Sequence, residues 1–196
     1  PCNPYGDSKL AFEHLLRWYH MCHGFRVHIF RYFNAAGATE RHGEDRPVEE
    51  HLIPLAFAAI LGHREHLTVF GNDYPTEDGT CVRDYLHVHD IGQAHLSAAA
   101  YLAQHDDFDD FNLGSSTGTT VLTILTAIER ITGRNVPYIM GGRRAGDPAT
   151  LVASSEKAIG KLGIQFEYSN IDHIIDSAWR WFQRTEYGQG ADKSHP

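Results

Sequence analysis

A tyrosine and a lysine four residues apart, Tyr5 and Lys9, are spaced so that they could do acid–base chemistry. Residues at positions i and i+4 of a helix lie on one face, so the two side chains can meet. An ammonium group beside a phenol stabilises the phenolate, and the N-terminal end of a helix favours the same charge. The pair could therefore take a proton from a substrate hydroxyl. Because this spacing is also common on exposed helices, the pattern alone favours an ordinary surface pair.

Two arginine-containing segments have the residue types that bind phosphate. Arg83 follows a Gly-Thr-Cys turn, and Arg143-Arg144 lies in a Gly-flanked loop ahead of Asp147. The planar guanidinium can bind phosphate oxygens in pairs. An acidic protein must gather such cations locally to hold a phosphorylated ligand. Taken singly, each arginine is more often a surface charge, and an aspartate after a glycine is more often a turn residue.

The composition limits the classes of protein to consider. The 196 residues are 42% hydrophobic and 21% charged, which is typical of one or one-and-a-half globular domains. A net charge of −8 argues against general binding to nucleic acid or to a membrane surface. Three cysteines (Cys2, Cys22 and Cys81) without a CxxC pair suit a reducing compartment. No apolar run reaches about 18 residues, so we expect a cytoplasmic protein without a transmembrane segment.

Helical and extended patterns alternate along the chain. Asn3 and Pro4 predict a helix start, and Gly24 predicts its end. Further helices are predicted over 51–62, 88–104, 121–132, 155–162 and 170–184, and strands over 25–33, 67–70, 81–87, 109–113 and 136–140. A polar tail follows at 185–196. This alternation, with a loop over 34–49, predicts an α/β fold.

The order of several motifs indicates a family. The stretch PCNPYGDSK, followed by a helix and then by FRVHIFRYFNAAGA, resembles the extended short-chain dehydrogenase/reductase superfamily. HLIP, LTVFGNDYPTEDGTCVRDYLHVHD, FNLG and RRAGDPA follow in the order and spacing of the UDP-glucose 4-epimerases. The resemblance covers residues 1–184. It implies the end of a Rossmann-like parallel-sheet domain, interleaved with a smaller α/β substrate-binding domain.

The resemblance also implies roles for individual residues. Tyr5 would take the proton from the sugar 4-hydroxyl, and Lys9 would stabilise its phenolate and bind the nicotinamide ribose of NAD. Tyr5 would also contact the cofactor. Phe33 would line the nicotinamide. The remaining residues would bind the UDP-sugar substrate: Asn34, then His51, Leu52, Thr68, Val69 and Phe70 around the uridine, Arg83, Arg144 and Asp147 at the diphosphate and ribose, and Leu151 against the sugar.

The implied activity is the interconversion of UDP-glucose and UDP-galactose by NAD-mediated oxidation and reduction at C4, in an enzyme expected to be a homodimer. The sequence contains no Gly-rich turn of the form G-x-x-G-x-x-G. We therefore expect the C-terminal portion of a longer enzyme, inactive by itself. Two alternatives stay open: an epimerase or dehydratase for another nucleotide sugar, and a non-catalytic UDP-sugar-binding remnant.

Two further patterns are interpreted as structural. The segment NLGSSTGTTV leads from a strand into a helix, but Gly114 and Gly118 do not fit a dinucleotide-binding turn, which favours a plain connection. His87, His89, Asp90 and His95 are near one another in sequence and include zinc-ligand types. No cysteine or second cluster stands at ligand spacing beside them, so we interpret them as scattered histidines rather than a metal site.

Overall fold

The computed structural model describes Pro1 and residues 3–184; Cys2 and the predicted polar tail at 185–196 lie outside the described residues. Six helices and eight strands alternate within this part of the chain. In order they are α1 (Pro4–His23), β1 (Val27–Tyr32), β2 (Asn34–Ala36), α2 (Leu52–Ile60), β3 (Leu67–Phe70), β4 (Val82–His87), α3 (Val88–Gln104), β5 (Phe108–Leu113), β6 (Gly118–Thr120), α4 (Val121–Thr132), β7 (Tyr138–Gly141), β8 (Thr150–Leu151), α5 (Glu156–Leu162) and α6 (Ile171–Arg184).

Helix α1 begins and ends where local sequence signals place it. The Asn3 side chain accepts a hydrogen bond from the Gly6 amide at 2.8 Å, and Pro4 occupies the first helical position. The helix ends at Gly24, whose φ of 66° lies in the left-handed region that glycine adopts without steric cost. The predicted helix is confirmed, and Tyr5 lies in its first turn.

The strands pair mostly in parallel. β1 pairs with β5 in register from Val27 opposite Phe108 to Tyr32 opposite Leu113. After one intervening residue the chain continues as β2, which pairs in parallel with β4. β4 also pairs antiparallel with β6 and in parallel with β8, while β3 pairs in parallel with β7. The predicted α/β fold class is confirmed.

Three short strands were missed by the sequence patterns. β2, β6 and β8 have two or three residues each; β2 and β6 lie in stretches predicted to be a loop and a turn, and β8 lies where no element was predicted. All three pair with β4. Segments this short carry no readable alternation of polar and apolar residues, because their extended form depends on the strand they pair with.

β4 separates two hydrophobic clusters. One cluster forms between α2, β3, α4 and α6 and includes Tyr85 of β4; the other forms between α3, β5 and α5 and includes Leu86. Successive side chains of a strand point to opposite faces, so neighbouring residues of β4 reach different clusters. β4, which contains Arg83, is therefore packed against a hydrophobic cluster on each of its two faces.

No helix within the described residues is long and apolar enough to cross a membrane.

Candidate functional site

The predicted acid–base pair meets on α1. The Lys9 ammonium lies 5.0 Å from the centroid of the Tyr5 ring. Tyr5 is 72% exposed, and no residue of α1 is buried. The pair is therefore open to a ligand from solvent. No hydrogen bond, ion pair or ring contact among the described residues joins it to the arginines of the predicted phosphate site.

Phe33 and Asn34 lie where β1 passes into β2. The Phe33 amide donates to the Leu113 carbonyl at 3.2 Å, which extends the β1–β5 pairing to the edge of the predicted site. Asn34 stands opposite Tyr85 of β4 in register. Burial raises the pKa of Tyr85, so this phenol keeps its proton at neutral pH.

Phe70 and Arg144 come together after two paired parallel strands. Phe70 ends β3, and Arg144 lies in the loop that follows β7. The Arg144 guanidinium carbon lies 4.0 Å from the centroid of the Phe70 ring, a cation–π contact. This contact places an exposed positive charge over one face of the ring. The two residues are 74 positions apart in the sequence, so their meeting depends on the β3–β7 pairing.

Arg83 is held by the segment that contains Asp147. Its Nη2 lies 3.4 Å from Asp147 Oδ1, and its Nη1 donates to the carbonyls of Val82 at 2.8 Å and Pro148 at 2.9 Å. The Arg83 side chain is only 13% exposed. In β8, Leu151 stands directly opposite Arg83. The structure thus brings together three of the residues that the resemblance assigned to the substrate.

The neighbouring Arg143 has different partners. Its guanidinium lies 4.3 Å from the Tyr74 ring centroid, and its Nε donates to Asp73 Oδ1 at 2.7 Å. The two consecutive arginines therefore stack on different aromatic rings, Tyr74 and Phe70. The resemblance assigned Arg144 and not Arg143 to the substrate, but the residue types in this basic loop did not indicate that the two side chains stack on different rings.

The segment of β3 that the resemblance assigned to the uridine is only partly available to a ligand. Val69 is 1% exposed and packs in the hydrophobic cluster, whereas Thr68 and Phe70 are half-buried. The alternation of a strand places Val69 on the opposite face from its two neighbours. A contact between Val69 and a nucleotide is thereby limited to its main chain.

His51 and Leu52 begin α2 in an acidic setting. The His51 Nδ1 pairs with Glu44 and lies 3.7 Å from Glu49 Oε1, while its Nε2 is 3.2 Å from Arg46 Nη1. Leu52 packs against the hydrophobic cluster. The ligand atoms of Glu44, Glu49 and His51 lie within 4.8 Å of one another. No sequence pattern indicated this acidic neighbourhood, which lies in the long loop before α2.

His87 takes part in structural hydrogen bonds. It is 2% exposed; its Nδ1 accepts from the His89 amide at 3.0 Å, and its Nε2 lies 3.0 Å from Ser177 Oγ. Burial, together with the nearby His173, lowers the pKa of His87 to about 4, against the field of Asp90. The residue is therefore neutral at pH 7 and links the start of α3 to α6.

The segment after β5 also behaves as a structural connection. The amides of Ser115 and Ser116 donate to the carboxylate of Asp84, at 2.8 Å and 3.1 Å. These amides would be the anion-binding groups of a dinucleotide turn, and a side chain of the protein already occupies them.

Comparison with known proteins places this geometry in a family. The model of the NAD dependent epimerase/dehydratase family matches residues 1–114, which include the Tyr5–Lys9 pair and Arg83. The chain belongs to this family.

Relatives of this family member match nearly the whole chain. A UDP-glucose 4-epimerase from Lacticaseibacillus casei is 46% identical over 192 residues, 97% of this chain and 58% of the relative. The crystal structure of UDP-glucose 4-epimerase from Brucella ovis in complex with NAD has a TM-score of 0.89 at 45% identity, over 93% of this chain and 57% of that one. The enzyme from Bifidobacterium longum, in complex with NAD⁺ and UDP, has a TM-score of 0.87 at 35% identity, over 95% and 56%. The chain thus spans under three-fifths of the length of these relatives.

Proposed function

We propose that the full-length protein containing this chain interconverts UDP-glucose and UDP-galactose by oxidation and reduction at C4 of the sugar. The observation that carries the proposal is the assembly of Arg83, Asp147, Arg144 and Phe70 from three separate segments into one cationic and aromatic group. The curated name of the Lacticaseibacillus casei relative and the NAD⁺ and UDP bound to the Bifidobacterium longum enzyme support it.

The nucleotide end of the substrate matches this group. Two guanidinium groups can neutralise a diphosphate through paired hydrogen bonds. Arg144 and the half-buried Phe70 together offer a cation and an aromatic ring for the uracil. Asp147, already beside Arg83, can accept hydrogen bonds from the uridine ribose. Binding groups gathered on the nucleotide let the sugar turn over while the UDP stays in place.

The Tyr5–Lys9 pair supplies the acid–base step. Tyr5 takes the proton of the 4-hydroxyl as C4 is oxidised and gives it back to the oxygen as C4 is reduced on its other face. The Lys9 ammonium, 5.0 Å from the centroid of the ring, places a positive charge beside the phenol. Asn34 at the β1–β2 junction would then hold the UDP-sugar.

The residues of this chain fit one part of NAD, the nicotinamide and its ribose. The exposed tyrosine hydroxyl and the lysine ammonium offer donors for ribose hydroxyls, and Phe33 offers an apolar surface for the nicotinamide. When bound, NAD supplies the reversible hydride exchange at C4. The residues that would hold its adenosine end are not among those that we assign in this chain.

We further propose that residues 1–184 combine the end of a Rossmann-like domain with a substrate domain, and that the protein is a cytoplasmic homodimer. The two hydrophobic clusters on either side of β4 support the first point. Free thiols at Cys22 and Cys81 suit a reducing compartment. An exposed apolar face on α1 supports association: Phe12, Leu15, Trp18, Tyr19 and Met21.

The activity is tested by proton NMR of UDP-galactose incubated with the full-length protein. We expect the anomeric signal of UDP-glucose to appear and reach equilibrium from either direction. Conversion of a different nucleotide sugar alone would move the assignment to another epimerase or dehydratase. Binding of UDP without conversion of any sugar would identify a non-catalytic relative.

A further inference from the structure

Asp84 has a buried carboxyl group beside the residues that we propose for nucleotide binding. It stands between Arg83 and Tyr85 on β4 and is 0% exposed. Among the described residues, no lysine, arginine or histidine forms a salt bridge with it. A buried carboxylate is costly unless hydrogen bonds replace the lost water. Its bonding partners therefore indicate what the residue is for.

Four hydrogen bonds from two separate segments reach the Asp84 carboxylate. Oδ1 accepts from the Ser115 amide at 2.8 Å and from the Ser115 hydroxyl at 2.6 Å. Oδ2 accepts from the Ser116 amide at 3.1 Å and from the Ala153 amide at 3.1 Å. Asp84 thus joins the turn after β5 to the residues that follow β8.

The backbone of the turn at 114–116 has a conformation that lets it approach the Asp84 carboxylate closely. Ser116 has a φ of 61°, a left-handed conformation that is uncommon outside glycine. A Cβ atom on Gly114 would lie 2.4 Å from Asp84 Oδ2 and 2.6 Å from the Ala153 Cβ, so a larger residue would displace the carboxylate. The turn is therefore built around Asp84.

The segment after Asp147 is attached to β4 by three consecutive residues. The Val82 amide donates to the Ala149 carbonyl at 2.8 Å, and the Arg83 side chain donates to the Pro148 carbonyl. Asp84 then holds the Ala153 amide. Leu151 lies between these attachments, opposite Arg83. Asp84 thereby holds the 147–153 segment at Ala153, while Arg83 pairs with Asp147 at its other end.

We propose that Asp84 is a positioning residue for nucleotide binding: it holds the 147–153 segment and the turn at 114–116 on β4, and so sets the geometry of Arg83 and Asp147 around the diphosphate. This inference rests on the proposed function. Asp84 itself does not touch the substrate. Its loss moves the UDP-binding groups but leaves the Tyr5–Lys9 pair on α1 intact.

The test compares two buried aspartates in the full-length protein. Asp84→Asn keeps the shape of the side chain but turns an amide toward donors. Asp90→Asn is the matched control. Asp90 lies on α3 and is 1% exposed, and its Oδ2 accepts hydrogen bonds from the Tyr168 amide and the Ser169 hydroxyl. We expect Asp84→Asn to raise the Kd for UDP, measured by calorimetry, and the KM for UDP-galactose at least tenfold. Its kcat should fall less than threefold, while Asp90→Asn leaves both Kd and KM within twofold.

Ser115→Ala is a milder second variant, in case Asp84→Asn does not fold. It removes one hydroxyl bond to Asp84 Oδ1 and keeps the amide bond, so we expect about a threefold rise in Kd. Wild-type Kd in Ser115→Ala, or equal losses in Asp84→Asn and Asp90→Asn, would show a merely structural role and overturn the inference. A wild-type protein that binds no UDP would instead refute the proposed function itself.

Discussion

Removal of the Arg83 side chain should weaken UDP binding more than removal of Arg144. A hydrogen bond to a charged group contributes about 1.5–3 kcal/mol. Arg83 is 13% exposed and already fixed by Val82, Pro148 and Asp147, so binding costs it little side-chain entropy. We therefore expect Arg83→Ala to lose about 3 kcal/mol, roughly a hundredfold in Kd.

Arg144 is exposed and held by its stacking contact with Phe70. Solvent competes for its hydrogen bonds, so Arg144→Ala should lose about 1.5 kcal/mol, close to the low end of the same range. This loss corresponds to roughly a tenfold rise in Kd.

The adjacent Arg143 provides the matched control. Arg143→Ala removes the same unit of charge from the same loop, but its partners are Asp73 and Tyr74. An exposed ion pair of this kind contributes about 0–1 kcal/mol. We expect the Kd for UDP to change by less than about threefold.

Calorimetric titration of UDP into the full-length wild type and the three variants, at one salt concentration, measures these differences. Equal losses in all three would mean that only the net charge matters. A larger loss for Arg143→Ala than for Arg83→Ala would refute our placement of the diphosphate.

Three further variants test the acid–base pair, the sugar pocket and the buried histidine. Tyr5→Phe keeps the ring but lacks the hydroxyl, so kcat should fall about 10²–10⁴-fold with the UDP Kd unchanged; a kcat above about a tenth of wild type would remove Tyr5 from the mechanism. If Leu151 lies against the sugar, UDP-N-acetylglucosamine should have a kcat/KM about 10–100-fold below that of UDP-glucose, and Leu151→Cys should raise it; no gain would contradict that placement. The pKa of His87, lowered to about 4, favours the neutral form in the fold, so its contribution is fully present above pH 6.5 and is lost as the pH falls toward 4. Urea unfolding should show about 2–3 kcal/mol more loss between pH 7.5 and 4.5 in wild type than in His87→Asn, and parallel losses would contradict this.

Local signals were sufficient for the long elements. Asn3, Pro4 and Gly24 define α1 through interactions within a few residues, and the predicted bounds of α3 and α4 match the structure. The short strands β6 and β8 could not be predicted, because their extended form depends on pairing with β4. Nothing in their own residues indicates the strand with which they pair.

The candidate site was likewise predictable only in part. The resemblance assigned Arg83, Arg144 and Asp147, and not Arg143, to one substrate group, but no sequence pattern indicated that Arg144 stacks on Phe70 and Arg143 on Tyr74. The sequence also gave no sign that Val69 is buried, because only the packing of β3 with α2 and α4 decides which of its side chains face the hydrophobic cluster. The bonds of Asp84 span up to 69 positions and required the fold to be seen.

Deuterium at C4 of UDP-galactose provides the most direct test of the central claim, oxidation and reduction at C4 in one site. The full-length protein is incubated with this substrate in ordinary water, and the UDP-glucose formed is analysed by NMR and mass spectrometry. We predict that the deuterium is retained at C4 of the product, because the hydrogen removed from C4 is returned to the same carbon. Loss of the deuterium to water, or absence of UDP-glucose, would contradict the proposed function.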